Sequence, residues 1–328
     1  MIDLSTTYMG LNLRSPIIVG SSGLTRVVDN LIEMETKGAG AVVLKSLFEE
    51  QIKFEAHKML SSHDASNTYT EAEDYIKNYA KSHAIDEYLN LILQAKKSIN
   101  IPVIASINCV SAQEWTYFAR NIQDAGADAL ELNVFVLPVD IEKGSADFEG
   151  LYFEIIEKVK KEIKIPIALK ISSHFSGLAN MVKKLSWSGV SGIVLFNRFF
   201  APDIDIEKVR MISSGVFSSP DEITTSLRWI GVLAGRVQAD LCSSTGVHDG
   251  KGLIKQLLAG AKAVQVCSTL YKNGIGHLES ITGDLKTWME RNRYSRISDF
   301  NGKMSFKKGD NPDAYHRVQF MKYFAEID

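Results

Sequence analysis

Four times along this chain of 328 residues, a helix-like stretch ends in a small-residue turn and runs straight into an apolar strand. The four segments are Gly38-Ala39-Gly40-Ala41-Val42-Val43-Leu44, Ala125-Gly126-Ala127-Asp128-Ala129-Leu130-Glu131-Leu132, Ser188-Gly189-Val190-Ser191-Gly192-Ile193-Val194-Leu195 and Ala259-Gly260-Ala261-Lys262-Ala263-Val264-Gln265-Val266. Glycine after a helix adopts the left-handed geometry that ends it, and the β-rich run that follows suits a buried sheet. Two more strands open near a proline, Ile101-Pro102-Val103-Ile104-Ala105-Ser106 and Ile165-Pro166-Ile167-Ala168-Leu169-Lys170. There the missing donor need not break a ladder. Residues 17–20 and 237–242 complete a set of eight candidate strands.

Most intervals between these strands hold enough chain for one crossover helix, which parallel pairing requires. Helices are expected over residues 28–37, 85–99, 112–124, 151–162, 178–186, 220–233 and 250–258, the third capped by Ser111 with Glu114 three residues on. Eight strand-then-helix units predict an α/β fold closed into a (β/α)8 TIM barrel. A doubly wound sheet is the alternative, but the units do not fall into two distinguishable halves.

The pitch breaks in two places. Residues 48–84 form a long polar insertion after the second strand, with His57, Ser61-Ser62-His63-Asp64 and a tyrosine-rich stretch through Tyr79. At the carboxyl side of a barrel strand, such an insertion is placed to act as a lid. Near the start, residues 4–8 and 11–13 around Met9-Gly10 predict a small hairpin that plugs the barrel base. An amphipathic stretch over 314–324 predicts a closing helix, and no composition shift marks a linker, so residues 1–328 are expected to form one domain.

Hydrophobic residues make up 45% of the chain, enough for a sizeable core, and 37 basic against 39 acidic residues give a net charge of -2. That balance argues against a strongly basic nucleic-acid protein. The first residues include Asp3 and Arg14 and do not read as a secretion signal, and no long apolar run reads as a membrane span. Cys109, Cys242 and Cys267 have the spacing of neither a disulfide framework nor a zinc site. The expectation is a cytoplasmic protein acting on a small molecule, with no metal, nucleic-acid or membrane partner.

In a barrel, the chemistry lies at the carboxyl ends of the strands. The residues there are Gly20-Ser21-Ser22-Gly23, Lys45-Ser46, Asn108, Asn133, Lys170, Asn197-Arg198, Ser243-Ser244-Thr245-Gly246 and Cys267-Ser268. Buried ammonium and amide groups need partners, and a polar heterocycle or a phosphate would supply them. Ser244-Thr245-Gly246 and Cys267-Ser268-Thr269 follow the last two strands, where barrel enzymes hold phosphate. His174 and His248 are the two histidines in interesting positions, but no histidine–carboxylate cluster suggests a metal and no nucleophile elbow suggests a hydrolase. A Schiff-base lyase or aldolase using Lys45 or Lys170 is a second reading of the same strand ends.

Taken in order, Val43-Leu44-Lys45-Ser46, Glu131-Leu132-Asn133, Ala168-Leu169-Lys170, Leu195-Phe196-Asn197 and Gly260-Ala261 with Val266-Cys267-Ser268 resemble the dihydroorotate dehydrogenase family, in its soluble flavin-containing branch. Leu195-Phe196-Asn197-Arg198-Phe199 followed by Pro202-Asp203-Ile204-Asp205 resembles a divergent, dehydrogenase-like subgroup. The resemblance implies FMN at the barrel mouth and a role in pyrimidine biosynthesis, and it suggests a homodimer. It implies that Lys45 and Ser46 lie beside the flavin, with Lys45 also near the substrate, and that Lys170 faces the flavin's pyrimidine part. Asn133 and Asn197 would meet the substrate, Asn133 touching the flavin edge as well, while Thr245-Gly246 and Ser268 would hold the phosphate. Ser22, Gly23, Asn108 and Cys267 complete the implied cofactor contacts.

The family's substrate half is altered. The usual cysteine or serine base, followed by Pro-Asn, is replaced in Asn133-Val134-Phe135-Val136-Leu137-Pro138-Val139-Asp140. Val136 occupies the base position and cannot accept a proton. The asparagine- and glycine-rich substrate segment of the second loop gives way to Glu71-Ala72-Glu73-Asp74-Tyr75. His57, Tyr69, Tyr75 and Cys109 are the residues left to supply a base. The expectation is an FMN-dependent oxidoreductase acting on a small cyclic or carbonyl-bearing substrate, with a non-catalytic flavin-binding relative as a further alternative.

Overall fold

The computed structural model describes residues 2–48, 70–109, 115–134, 136–198, 201–309 and Tyr315. Eight parallel strands close into a barrel: β3 (Ile17–Val19), β4 (Ala41–Val43), β6 (Val103–Cys109), β7 (Ala129–Val134), β8 (Ile167–Ile171), β9 (Gly192–Leu195), β12 (Asp240–Ser243) and β13 (Ala263–Val266). Closure is made by β4 pairing with β6, Val42 opposite Val103. After a break at Leu44, the second strand resumes as β5 (Leu47–Phe48), which pairs with the same neighbour at Ile107 and Asn108. All eight expected barrel strands are present.

Alternation along each strand sorts the side chains into two cores. Leu130, Leu132 and Val134 of β7, and Leu169 and Ile171 of β8, pack outward under the helices. Ala129, Ala168, Ile18, Ala41, Val43, Ile104, Val194, Cys242 and Ala263 form a second cluster inside the barrel. Four alanines leave that interior underfilled, and the N-terminal hairpin fills it. β1 (Thr6–Tyr8) and β2 (Leu11–Leu13) are antiparallel, joined through Met9 and Gly10, both at positive φ (55° and 78°). Such a turn matches the twist of a two-residue hairpin. Tyr8, Met9 and Leu13 enter the inner cluster, and the Met9 N–H donates to Asp240 Oδ2 at 2.9 Å.

Gly192 is where plug and barrel meet, because a Cβ there would lie 2.7 Å from the Tyr8 hydroxyl and 2.8 Å from Met9 Cγ. Gly192→Ala should therefore cost about 1–3 kcal/mol through overpacking. The effect would register as a lower urea midpoint; an unchanged midpoint contradicts the plug.

The helices around the barrel are α1 (Val28–Thr36), α2 (Thr70–Ser98), α3 (Trp115–Asp124), α4 (Ser145–Glu162), α5 (Leu178–Trp187), α6 (Ile223–Leu233) and α7 (Gly250–Ala259), followed by α8 (Ser268–Asn273) and α9 (His277–Arg291). Helices α8 and α9 were not among the expected elements, and two further features differ from expectation. Helix α2 begins at Thr70, so the second part of the expected lid is helical backbone; its start is rich in Ala, Glu and Lys, good helix formers that give no apolar stripe. The loop after β9 contains a hairpin of β10 (Ala201–Asp205) and β11 (Arg210–Ser214). It is exposed, so it lacks the continuous apolar run that reveals a barrel strand. Residues 49–69 with His57 and Tyr69, the Ser111 cap and most of the tail helix lie outside the described residues, as do the side chains of Tyr75 and Cys109. Among the described residues no helix is long and apolar enough to cross a membrane.

Candidate active site

Above the apolar interior, the inward positions of the strands turn polar. Glu131 of β7, Lys170 of β8, Gln265 of β13 and Ser106 of β6 are all buried. Lys170 Nζ donates to Gln265 Oε1 at 2.8 Å, and Gln265 Nε2 donates to Glu131 Oε2 at 2.5 Å. Lys170 Nζ lies 3.7 Å from Glu131 Oε1. At an effective dielectric near 20, an ion pair at about 4 Å gains about 4 kcal/mol before desolvation is counted. The cluster is thus a paired and bridged charge site, the form in which buried charge persists.

A second chain of polar groups runs along the other side of the mouth. Ser46 N–H donates to Ser21 Oγ at 2.8 Å, while the Ser46 hydroxyl meets Ser21 Oγ at 3.0 Å and Ser106 Oγ at 2.7 Å. Tyr88 clamps Ser106 by donating to its carbonyl at 3.0 Å and accepting from its N–H at 2.7 Å. Burial pushes the Tyr88 hydroxyl well above its ordinary pKa, so it stays protonated.

Two cavities divide the expected residues. One, of about 190 Å³, is lined by Lys170, Gln265, Asn197, Ser244-Thr245-Gly246 and Ser268, with Ser21, Arg198 and Cys267 also on its wall. Lys170 and Arg198 are the cations of this lining, and no described carboxylate belongs to it. Thr245 and Gly246 both have positive φ (75° and 80°), and a Cβ on Gly246 would lie 2.1 Å from the Ile223 backbone nitrogen. Only glycine fits there, because the turn is pressed onto the start of α6. The other cavity, of about 500 Å³, is lined by Lys45 and Ser46 together with Arg26, Phe48 and Tyr88. Burial, reinforced by the nearby Arg26 guanidinium, lowers the pKa of Lys45, whose ammonium lies 5.2 Å from the Phe48 ring centre.

The remaining expected residues fall around these walls. Asn197 Nδ2 donates to Asn133 Oδ1 at 2.7 Å across the barrel mouth, and Asn108 is buried opposite Asn133 in the strand register. Ser22 and Gly23 lie at the turn before α1 and line neither cavity; their neighbour Ser21 does. Burial raises the pKa of Cys267 and, deeper, of Cys242, which argues against either acting as a thiolate. Among the described residues, no cluster of His, Cys, Asp or Glu could hold a metal ion.

Ser218, Glu222 and Tyr152 were not singled out from sequence. Ser218 arrives from the loop after the β10–β11 hairpin; its hydroxyl meets His248 Nε2 at 3.0 Å and its N–H donates to Ser268 Oγ at 3.0 Å. Burial and the Lys272 ammonium lower the pKa of His248, favouring the neutral ring. Arg198 bonds Glu222 at 2.7 Å and the Gly215 carbonyl at 2.7 Å, fixing the base of the hairpin. Val136 is half-buried and lines a cavity of about 150 Å³ with Tyr152 and His174. Burial pushes the Tyr152 hydroxyl up to about 12, so that phenol is no base near neutral pH.

A family model described as dihydroorotate dehydrogenase matches residues 3–289. The chain belongs to the dihydroorotate dehydrogenase family. A Thermoplasma volcanium protein named dihydroorotate dehydrogenase B (NAD(+)), catalytic subunit, is 27% identical over 310 residues, covering 92% of this chain and 98% of its own. Proteins of that name from Pyrococcus furiosus and Methanocella arvoryzae are 24% and 27% identical, across 92% and 86% of this chain and 98% and 91% of theirs. Membership of the dihydroorotate dehydrogenase family gives the chain an oxidoreductase role in general terms.

Proposed function

We propose that this protein is an FMN-dependent oxidoreductase that transfers a hydride between a small cyclic or carbonyl-bearing substrate and the flavin. The observation that carries the reading is the buried Lys170 opening onto a cavity lined by Ser244-Thr245-Gly246 and Ser268, with no described carboxylate in its wall. That donor set fits a phosphate and the polar edge of a heterocycle, and the tight turn at Gly246 leaves its backbone free of a side chain. In this reading Thr245, Gly246 and Ser268 hold the phosphate, and Lys170 faces the electron-rich edge of the ring. Lys45 and Ser46 flank the ring from the end of the second barrel strand, while the Asn133–Asn197 pair orients the substrate. FMN supplies the ring that accepts the hydride; the protein supplies position, charge and exclusion of water.

The lowered pKa of Lys45 favours one other reading, a Schiff-base lyase, since an amine nucleophile must be deprotonated. One experiment separates the two. Purified protein should be yellow, and heating should release one FMN per chain, identified by mass. Release of FAD, or a colourless protein whose lysine is trapped on a carbonyl compound by borohydride, contradicts the proposal.

A further inference from the structure

Two buried polar groups beside Lys170 have no task in the flavin reading so far. Glu131 is 1% exposed and Gln265 3% exposed, each flanked by apolar neighbours on its own strand. Gln265 spans the gap between charges, accepting from Lys170 at 2.8 Å and donating to Glu131 at 2.5 Å. Among the described residues the other carboxylate oxygen, Glu131 Oε1, has no hydrogen-bond partner, and it lies 3.7 Å from Lys170 Nζ. Lys170 and Gln265 line the cavity, and Glu131 does not. Glu131 therefore stands outside that lining and acts on the lysine.

We propose that Glu131, working through Gln265, is a positioning residue that holds Lys170 at the cavity wall and offsets part of its charge, thereby setting the reduction potential of the bound flavin. This rests on the FMN reading above. An ammonium at the ring edge favours the reduced, electron-rich ring. A carboxylate close behind that ammonium, in a layer shielded from water, weakens its field at the ring. The potential then depends on where the layer's single negative charge sits.

Two variants move that charge in opposite senses. Glu131→Gln removes it, keeps the shape and retains an oxygen to accept from Gln265. The exchange variant, E131Q with Q265E, keeps one carboxylate in the layer but places it on the cavity wall in direct reach of Lys170. Because its net charge is that of the wild type, it keeps the test open if Glu131→Gln alone does not fold. The midpoint potential, read by reductive titration against a reference dye, should rise in Glu131→Gln by about 30 mV, which is a tenfold shift in a two-electron equilibrium. It should fall below the wild-type value in the exchange variant. A wild-type potential in the exchange variant, shifts of one sign in both, or a folded exchange variant that holds no flavin would overturn the proposal and leave the FMN reading standing. Wild-type protein that purifies without flavin overturns both.

Discussion

A Lys170→Met variant is expected to bind FMN roughly 10–100-fold more weakly, the loss of one hydrogen bond from a charged group worth about 1.5–3 kcal/mol. It should also lose about 3–5 kcal/mol of stability, because removing one partner strands a buried opposite charge. The stranded group is Glu131, 1% exposed, with Gln265 left holding an acceptor that has lost its donor. Methionine matches the length of the lysine stem, so the change removes charge with little change in packing volume. Lys161→Met is the control, since that side chain is 68% exposed and pairs with Glu157 one helical turn away. Flavin-to-protein ratio and urea midpoint report the two effects. A variant that keeps both at wild-type values would mean that Lys170 merely caps the barrel rim.

The barrel was readable because its strands are short apolar runs behind glycine or proline, and that pattern survives without any tertiary information. The inner and outer cores were readable too, once alternate residues are assigned to opposite faces. The two partners of Lys170 at the centre of the site obey the same rule. Glu131 lies between Leu130 and Leu132, and Gln265 between Val264 and Val266, each an inward polar residue in a buried strand. Such a residue signals a partner inside the barrel, yet nothing local says which one. The Asn133–Asn197 and Lys170–Gln265 bonds join residues far apart in the chain, so only barrel closure brings them together. Ser218 carried no signal, because its position depends on an exposed hairpin whose alternation is short and mostly polar. The split of Lys45 and Lys170 between two cavities was equally hidden, since both simply end apolar strands.

In the proposed reading the cofactor side of the site follows the dihydroorotate dehydrogenase pattern, while Val136 stands where the resemblance puts the usual proton acceptor. Oxidising dihydroorotate requires a proton to leave one carbon as a hydride leaves its neighbour, and valine offers no lone pair. Loss of a positioned base costs roughly 10²–10⁴-fold in rate. Tyr152, beside Val136, is held protonated by burial and does not repair the deficit. Dihydroorotate should therefore reduce this flavin roughly 10²–10⁴-fold more slowly than it reduces a family member carrying the cysteine or serine base. The direct measurement is anaerobic mixing of the purified, flavin-loaded protein with dihydroorotate, following flavin bleaching so that no electron acceptor is needed. The account predicts a flavin that dithionite reduces fully and dihydroorotate barely bleaches. Rapid, saturable bleaching with orotate formed in equal amount would contradict it.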